Sequence, residues 1–235
     1  MRHLRRLALL LVVLLPVPAA AQGQADTRPG FAVFPFANGG SYGLAREDLA
    51  ALGVGIQQIL LTELSQNTAL RIIERGMLRE ILEEQNLARD GRVDPGTAAR
   101  IGKLVGARYA LTGGFVDLNG AMRLDGHIVD VETSEIIKAE EIRGKRDDLF
   151  DLLVDFAGRV TQDVKLPPLA AQVREARKAR EIPAEAITLY SRAQVYQDGG
   201  RTERAIELYR QIAEKFPAMT EATEALRQLT GGSGD

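Results

Sequence analysis

The apolar positions change period along the chain, and each change marks an element. Residues 31–36 (FAVFPF) form a short continuous apolar run that predicts a buried strand, with Pro35 marking a strand end or an edge. Across residues 47–66, Leu49, Leu52, Ile56, Ile59, Leu60 and Leu64 recur at helical spacing on one face. Residues 70–74 (LRIIE) predict a second strand, and residues 77–87 a helix with Leu78, Ile81 and Leu82 inward. Asp94 followed by Pro95 has the form of a cap and first helical position, opening a helix to about Val105 with Ala98, Ile101 and Leu104 inward. The period then shortens. Residues 107–117 and 121–131 read as strands meeting at Asn119-Gly120, a pair that tolerates positive φ and predicts a hairpin. Glu132-Thr133-Ser134 turns into a third strand, 135–143, and residues 146–166 predict a closing helix with Phe150, Leu153, Val154, Ala157, Val160 and Val164 inward. The order β-α-β-α-α-β-β-β-α predicts an α/β domain over residues 30–166: a mixed sheet with an antiparallel meander, flanked by helices.

Pro167-Pro168 marks a boundary. Residues 167–182 predict a linker helix rich in Ala, Arg and Glu, with a thin apolar stripe. Pro183 opens an all-α helical hairpin, 183–230, with Ala186, Leu189, Ala193 and Tyr196 on its first helix. Asp198-Gly199-Gly200 forms the turn. Ala205, Leu208, Tyr209, Ile212 and Phe216 lie on the second helix, which Pro217 stops; a short third helix, 220–229, precedes a tail, 231–235, expected to be disordered.

The N-terminus carries a different pattern. Arg2, His3, Arg5 and Arg6 precede an uninterrupted apolar run, residues 7–15; Pro16 breaks it, and Ala19-Ala20-Ala21 supplies small residues. This predicts a secretory signal peptide, residues 1–21, followed by a flexible leader, 22–29. The run is well short of the roughly 20 residues that a spanning helix needs. Export places the mature chain in a periplasm, with a peripheral position at the outer membrane as one siting. The chain has no Cys, which removes disulfides, thiolate metal sites and cysteine nucleophiles, and Gln22 stands where an acylated lipoprotein would need Cys. The formal charge of −2 becomes more negative once Arg2, Arg5 and Arg6 leave with the signal, so no global field favours nucleic acid or anionic lipid.

Catalytic inventory is sparse. Gly102-Lys103 is followed by Leu104 where a phosphate loop needs Ser or Thr. Gly106 and Gly113-Gly114 read as packing or bend positions. With His3 in the signal, His127 is the one mature histidine, in a strand with apolar neighbours. The acid pairs Glu83-Glu84, Glu140-Glu141 and Asp147-Asp148 are adjacent in sequence, so their side chains diverge rather than cooperate, and Asp147-Asp148 reads as the acidic start of the closing helix. Glu74-Arg75 reads as a structural ion pair or helix-entry cap. No catalytic, cofactor-binding or metal-ligating residue is assigned, and the chain is read as a non-enzyme without a cofactor.

The hairpin resembles one tetratricopeptide repeat, carried by Ala193, Tyr196, Ala205, Tyr209 and Pro217 around Gly199-Gly200. A single repeat cannot bury its own face. It is expected to pack on the helix at 169–180, on the helix at 220–229, or on another chain. The larger region resembles the CsgG-like family of exported bacterial proteins, the curli-secretion type. The pattern runs from FAVFPF through Ile72-Ile73-Glu74-Arg75 and MLREILEEQ to ARIGKLVGARYALTGG (99–114) and the meander HIVDVETSEII. The resemblance implies an anticodon-binding-like α/β fold, envelope location, and action through protein partners or self-assembly. Relatives of that core include lipoprotein activators of cell-wall synthases and small flagellar outer-membrane proteins. The absent Cys and the short meander turns, which leave no spare strands of roughly 9–11 residues, depart from the pore-forming members. The leading expectation is a non-enzymatic envelope assembly or scaffold protein. The alternatives are a periplasmic small-molecule or glycan-binding module using the loop from Asn38 to Gly43 with Tyr42, and an activator of a cell-wall synthase.

Overall fold

A computed structural model describes residues 26–85 and 93–231. The expected signal peptide, residues 22–25 of the expected leader, residues 86 and 87 of the expected second helix, and residues 232–235 of the tail lie outside them. The elements are β1 (Gly30–Val33), β2 (Ala37–Asn38), α1 (Arg46–Ser65), β3 (Arg71–Ile72), α2 (Arg75–Glu84), α3 (Pro95–Leu104), β4 (Tyr109–Leu118), β5 (Ala121–Asp130), β6 (Ile136–Lys145), α4 (Leu149–Asp163), α5 (Ala171–Lys178), α6 (Ala184–Asp198), α7 (Thr202–Lys215) and α8 (Thr220–Gly231). The fold is the predicted α/β arrangement: a mixed sheet of six strands flanked by helices, followed by a helical C-terminal region.

The sheet order is β3-β1-β4-β5-β6, with β2 also on β4; β3, β1 and β4 run parallel, and β4-β5-β6 form the antiparallel meander. β1 is covered on both faces, which is why it reads as a continuous apolar run. Phe31 and Val33 face the core shared with α1 and α4, whereas Ala32 and Phe34 face a second core under α2 and α3. Pro35 ends β1 but does not place it at an edge, since β1 lies between β3 and β4. Val33 pairs with Leu111 and Ala37 with Gly114, so Phe34-Pro35-Phe36 spans one residue more than β4 does. The extra residue is a bulge. It turns the Phe36 amide away from the sheet to donate to the Gly53 carbonyl of α1, at 3.2 Å.

The local signals hold. Asn119 and Gly120 take φ of 52° and 92° in the β4–β5 turn. The Asp94 side chain accepts from the Thr97 amide at 3.0 Å and caps α3. At the other end of α3, Gly106 has φ 66°, and the Ala107 amide donates to the Gly102 carbonyl, closing a left-handed C-cap. Leu104 departs from expectation. It lies in the last turn of α3 and is 63% exposed, because the cap turns the chain into β4 before that side chain reaches the core.

α1 is buried almost all round, not on one face. One side packs on the sheet and α4; the other receives α6. The contact is close enough that a Cβ on Gly55 would overlap the Ser191 hydroxyl and lie 2.7 Å from the Ser191 Cβ. α7 packs on α6, and α8 on α7. The hairpin therefore docks within the chain: the expected contact with the third helix is present, while its main seat, α1, was not among the expected ones. The helix at 171–178 meets the C-terminal helices mainly through arginines. Tyr209 is fully buried 5.8 Å from the Tyr190 ring and fills the space between helices. Tyr196 instead reaches α1, donating to the Glu47 carboxylate at 2.7 Å with the Arg201 guanidinium over its ring.

Candidate functional site

The residues singled out as candidate chemistry have structural positions. Gly102 is pressed against Val131, where a Cβ would come within 2.7 Å of a methyl group. A Cβ on Gly114 would meet the Ala37 carbonyl oxygen at 2.9 Å, so the glycines of β4 admit β2 and β5. His127 stands with Arg123 and Asp125 on the uncovered face of β5, opposite Thr112 of β4 and Ala139 of β6. Glu140 faces Arg159 of α4 at 3.7 Å, whereas Glu141 pairs with Arg143 on the strand itself, so the adjacent acids do diverge. Glu83 pairs along its helix with Arg79 at 3.7 Å. Asp147 and Asp148 lie in the 3-10 turn that leads into α4. Among the described residues, no group of three His, Asp or Glu side chains is placed to hold a metal ion.

Glu74-Arg75 is neither an ion pair nor a side-chain cap. Glu74 occupies the position before α2 without a capping bond from its side chain. Arg75 turns away from it and crosses to the C-terminal region. Its guanidinium donates to both carboxylate oxygens of Asp198, to Gln194 Oε1 at 2.6 Å and to Gln58 Oε1 at 3.1 Å. Arg79, one turn further along α2, donates to Asp198 at 2.8 Å. Two cations and one carboxylate thus join α1, α2 and α6 at a half-buried junction. Charge-assisted bidentate bonds of this kind fix direction as well as distance.

A second cluster ties α5 to α8. Arg177 pairs with Glu63 of α1, which is 2% exposed, and with Glu221 of α8 at 3.0 Å. Arg180 pairs with the same Glu221 and donates to the Ala218 carbonyl. Both guanidinium groups lie over the Phe150 ring, 5.8 and 5.2 Å from its centre. Burial opposes the charge on Glu221, but the bonds from Arg180 and Arg177 outweigh it and hold the carboxyl below its ordinary 4.5.

Two depressions flank the Arg75–Asp198–Arg79 junction and share those three residues. One is a cleft of about 450 Å³ beside the β1–β2 bulge, walled by Phe36, Leu49, Val54, Leu82, Val93 and Val195. Gln57 lies in its floor, 2% exposed, its amide Nε2 donating to the Val33 carbonyl at 2.7 Å. The other is a polar groove of about 1170 Å³ between α1, α2, α6 and α8, lined by Gln58, Thr62, Gln66, Gln197, Glu221 and Gln228 among others. Sequence reasoning did not find either, because the junction joins residues 123 apart in the chain. The one hint was a charged pair, Glu74-Arg75, at the start of an otherwise amphipathic helix. Asn38 of the expected ligand loop lines the cleft, but its Oδ1 accepts from the Gly40 and Ser41 amides at 3.0 and 2.8 Å, and Tyr42 is 54% exposed away from the core.

Residues 16–127 match the family model "Curli production assembly/transport component CsgG". This part of the chain is CsgG-like. The CsgG-like match ends in β5, so the pattern in 128–137 lies beyond it. Among solved structures, the LpoB C-terminal domain from Salmonella enterica aligns at 22% identity over 52% of this chain and 88% of that one, with a TM-score of 0.39. TolB from Acinetobacter baumannii aligns at 15% identity over 61% of this chain and 30% of that one, TM-score 0.42. The PelC dodecamer from Paraburkholderia phytofirmans aligns at 15% identity over 60% of this chain and 89% of that one, TM-score 0.33. No curated protein matches the sequence. Among the described residues, no helix is long and apolar enough to cross a membrane.

Proposed function

We propose that the protein is an exported, non-enzymatic component of the bacterial cell envelope that works by holding a partner protein. The observation that carries the reading is the pair of depressions around Arg75, Arg79 and Asp198, in a chain whose residues 16–127 match the CsgG family model. The α/β part is the scaffold. The tetratricopeptide-like hairpin α6–α7 supplies one wall of a partner-binding groove instead of standing apart as a separate module. The signal pattern in residues 1–21 supports delivery to the periplasm, with a peripheral place at the outer membrane. Curli-type assembly or secretion and activation of a cell-wall synthase are both consistent with a partner-holding role; the family name supports the first.

The small-molecule or glycan reading at residues 38–43 is less well supported, since Asn38 uses its acceptor to build the loop. The test of the main reading has two parts. Fractionation and protease accessibility in spheroplasts should place the chain outside the cytoplasm. In-cell crosslinking should then give a defined heteromeric product. A chain confined to the cytosol, or one that forms no crosslinked product while remaining monomeric, overturns it.

A further inference from the structure

β6 is an edge of the sheet: β5 lies on one side of it, and no described strand on the other. Its backbone directions follow from two bonds. The Arg146 amide donates to the Gly120 carbonyl at 2.8 Å, one step past the pairing of Ala121 with Lys145. Residues of an antiparallel pair bond their neighbour alternately, so the even-numbered residues from 138 to 146 are spent on β5. Ala139, Glu141 and Arg143 point their amides and carbonyls outward. The Glu141 carbonyl has the direction this requires, since it accepts from Arg159 of α4 at 3.0 Å; a carbonyl has room for a second donor. Near its start the strand is irregular, with the register slipping between Ile128 and Val129 and leaving Ile137 without an opposite residue. The regular edge is therefore residues 138–145.

The charges on this edge are not matched across β5. On the face that also carries His127, Arg143 stands opposite Arg123, and Glu141 opposite Asp125. Like charges directly opposite each other are destabilising. Each strand relieves them only along itself, Arg123 with Asp125 at 3.0 Å and Arg143 with Glu141 at 2.6 Å. Glu141 and Arg143 are both exposed, and the opposite charge that β5 does not supply has room on the outer side of β6. A charged edge ordinarily keeps other strands away, but an edge with both signs two residues apart is complementary to its own copy run in reverse. We propose that β6 pairs with β6 of a second copy of this chain, antiparallel, about a two-fold axis through Ile142. Glu141 of each copy then faces Arg143 of the other, and Ala139 faces Lys145. The outward amides and carbonyls of Glu141 and Arg143 bond across the axis and join the two sheets into one. Moving the axis by one residue sets Glu141 against its own copy in one direction and Arg143 against its own copy in the other, so charge fixes the register. β6 lies beyond β4 and β5 from β1, away from the depressions around Arg75, and the pairing stands independently of the partner-holding reading.

The protein purified from an expressing cell is measured by sedimentation equilibrium over a concentration series, at low and then at high salt. A reversible dimer should form and should weaken as salt screens the charges. Glu141→Arg and Arg143→Glu should each raise the dissociation constant at least about tenfold, because each turns two attractive pairs into two repulsive ones. Neither should lower the melting temperature of the monomer, since each reversal sets an opposite charge against β5, at Asp125 or at Arg123. An equimolar mixture of the two variants should recover a dimer with one copy of each. The double variant should recover self-pairing and should not pair with the parent. A protein that stays monomeric throughout the series overturns the proposal. A dimer that survives both reversals belongs to another surface and overturns it too. Loss in both variants without recovery on mixing overturns the antiparallel register. A monomer whose Glu141→Arg variant loses a heteromeric crosslink in cells gives the edge to a different protein; that overturns the second copy and leaves the partner-holding reading intact.

Discussion

At the scale of single residues, the close approach of α1 and α6 depends on Gly55 having no side chain. A Cβ there would overlap Ser191, and not only its rotatable hydroxyl: the Ser191 Cα lies 3.2 Å from the added atom. Ser191 is fully buried, and its hydroxyl donates to the Ile187 carbonyl at 2.7 Å, so it has nowhere to turn. Gly55→Ala gains a few tenths to about 1 kcal/mol of helix propensity. Overpacking of a tight interface costs about 1–3 kcal/mol and prevails. Urea denaturation should therefore show a net loss of about 1–2 kcal/mol for Gly55→Ala. The double variant Gly55→Ala with Ser191→Gly should recover part of that loss, and the coupling in the double-mutant cycle identifies the cause as the contact. Additive losses would place the strain elsewhere.

Elements were legible wherever their cause is local. Asp94-Pro95 caps α3 and Asn119-Gly120 turns the meander because each acts through atoms within a few residues. The length of the strands facing each other, β4 and β5, followed from the same local signals. What was not legible arises between distant residues. The second buried side of α1 exists because Gly55 meets Ser191, and no periodicity in either helix announces that pairing. Arg75 looked like half of a local ion pair with Glu74, yet its partner is Asp198; charge tells which sign a group seeks but not which element supplies it. The two-faced burial of β1 was readable as an apolar run, but the bulge that shapes the cleft needed the register against β4.

The contact of α5 with α8 makes an element-scale prediction about pH. Glu221 is held below its ordinary 4.5 despite burial, by Arg180 and Arg177. A carboxyl with a lowered folded-state pKa adds stability above its unfolded value, and that contribution is lost as pH falls through the folded value. Docking of α8 should thus be strongest above pH 4.5 and weaken below it. Glu221→Gln removes the charge, leaving Arg180 without a carboxylate partner and Arg177 with Glu63 alone. Breaking such a half-buried network costs about 1–3 kcal/mol at neutral pH. The gap in stability between the parent and Glu221→Gln should be constant above pH 4.5 and narrow as the pH drops. Hydrogen exchange in α8 should follow the same course. A gap that persists unchanged at low pH would show that shape at Glu221, not its charge, holds the helix.

At the scale of the whole molecule, the apolar core does not stop at Pro167-Pro168. One continuous cluster runs from Phe31 and Val33 through Ile56, Ile59 and Phe156 to Ile187, Ala193 and Tyr209. The α/β part and the C-terminal helices therefore share α1, and each leaves an apolar face exposed without the other. Cutting after Leu166 would uncover the side of α1 that receives Ile187, Ser191 and Gln194, together with the faces of Glu63 and Asp155 that Arg177 and Lys178 neutralise. Burial of apolar surface supplies roughly 25 cal/mol per Å², so loss of a helix–helix interface of several hundred Å² amounts to a large share of a marginal stability. A fragment ending at residue 166 should accordingly melt well below the parent, or self-associate through α1 on size-exclusion chromatography. The fragment 167–231, which keeps Arg177, Lys178 and Arg180, should show little helix by circular dichroism, because α6 loses its seat. Mixing the two should restore the parent's elution position and cooperative melt, since the interface contains every group needed to re-form it. Independent folding of both fragments, with no association on mixing, would mean that the groove between them opens freely. A partner segment would then enter by prising the helices apart instead of settling into a preformed trough.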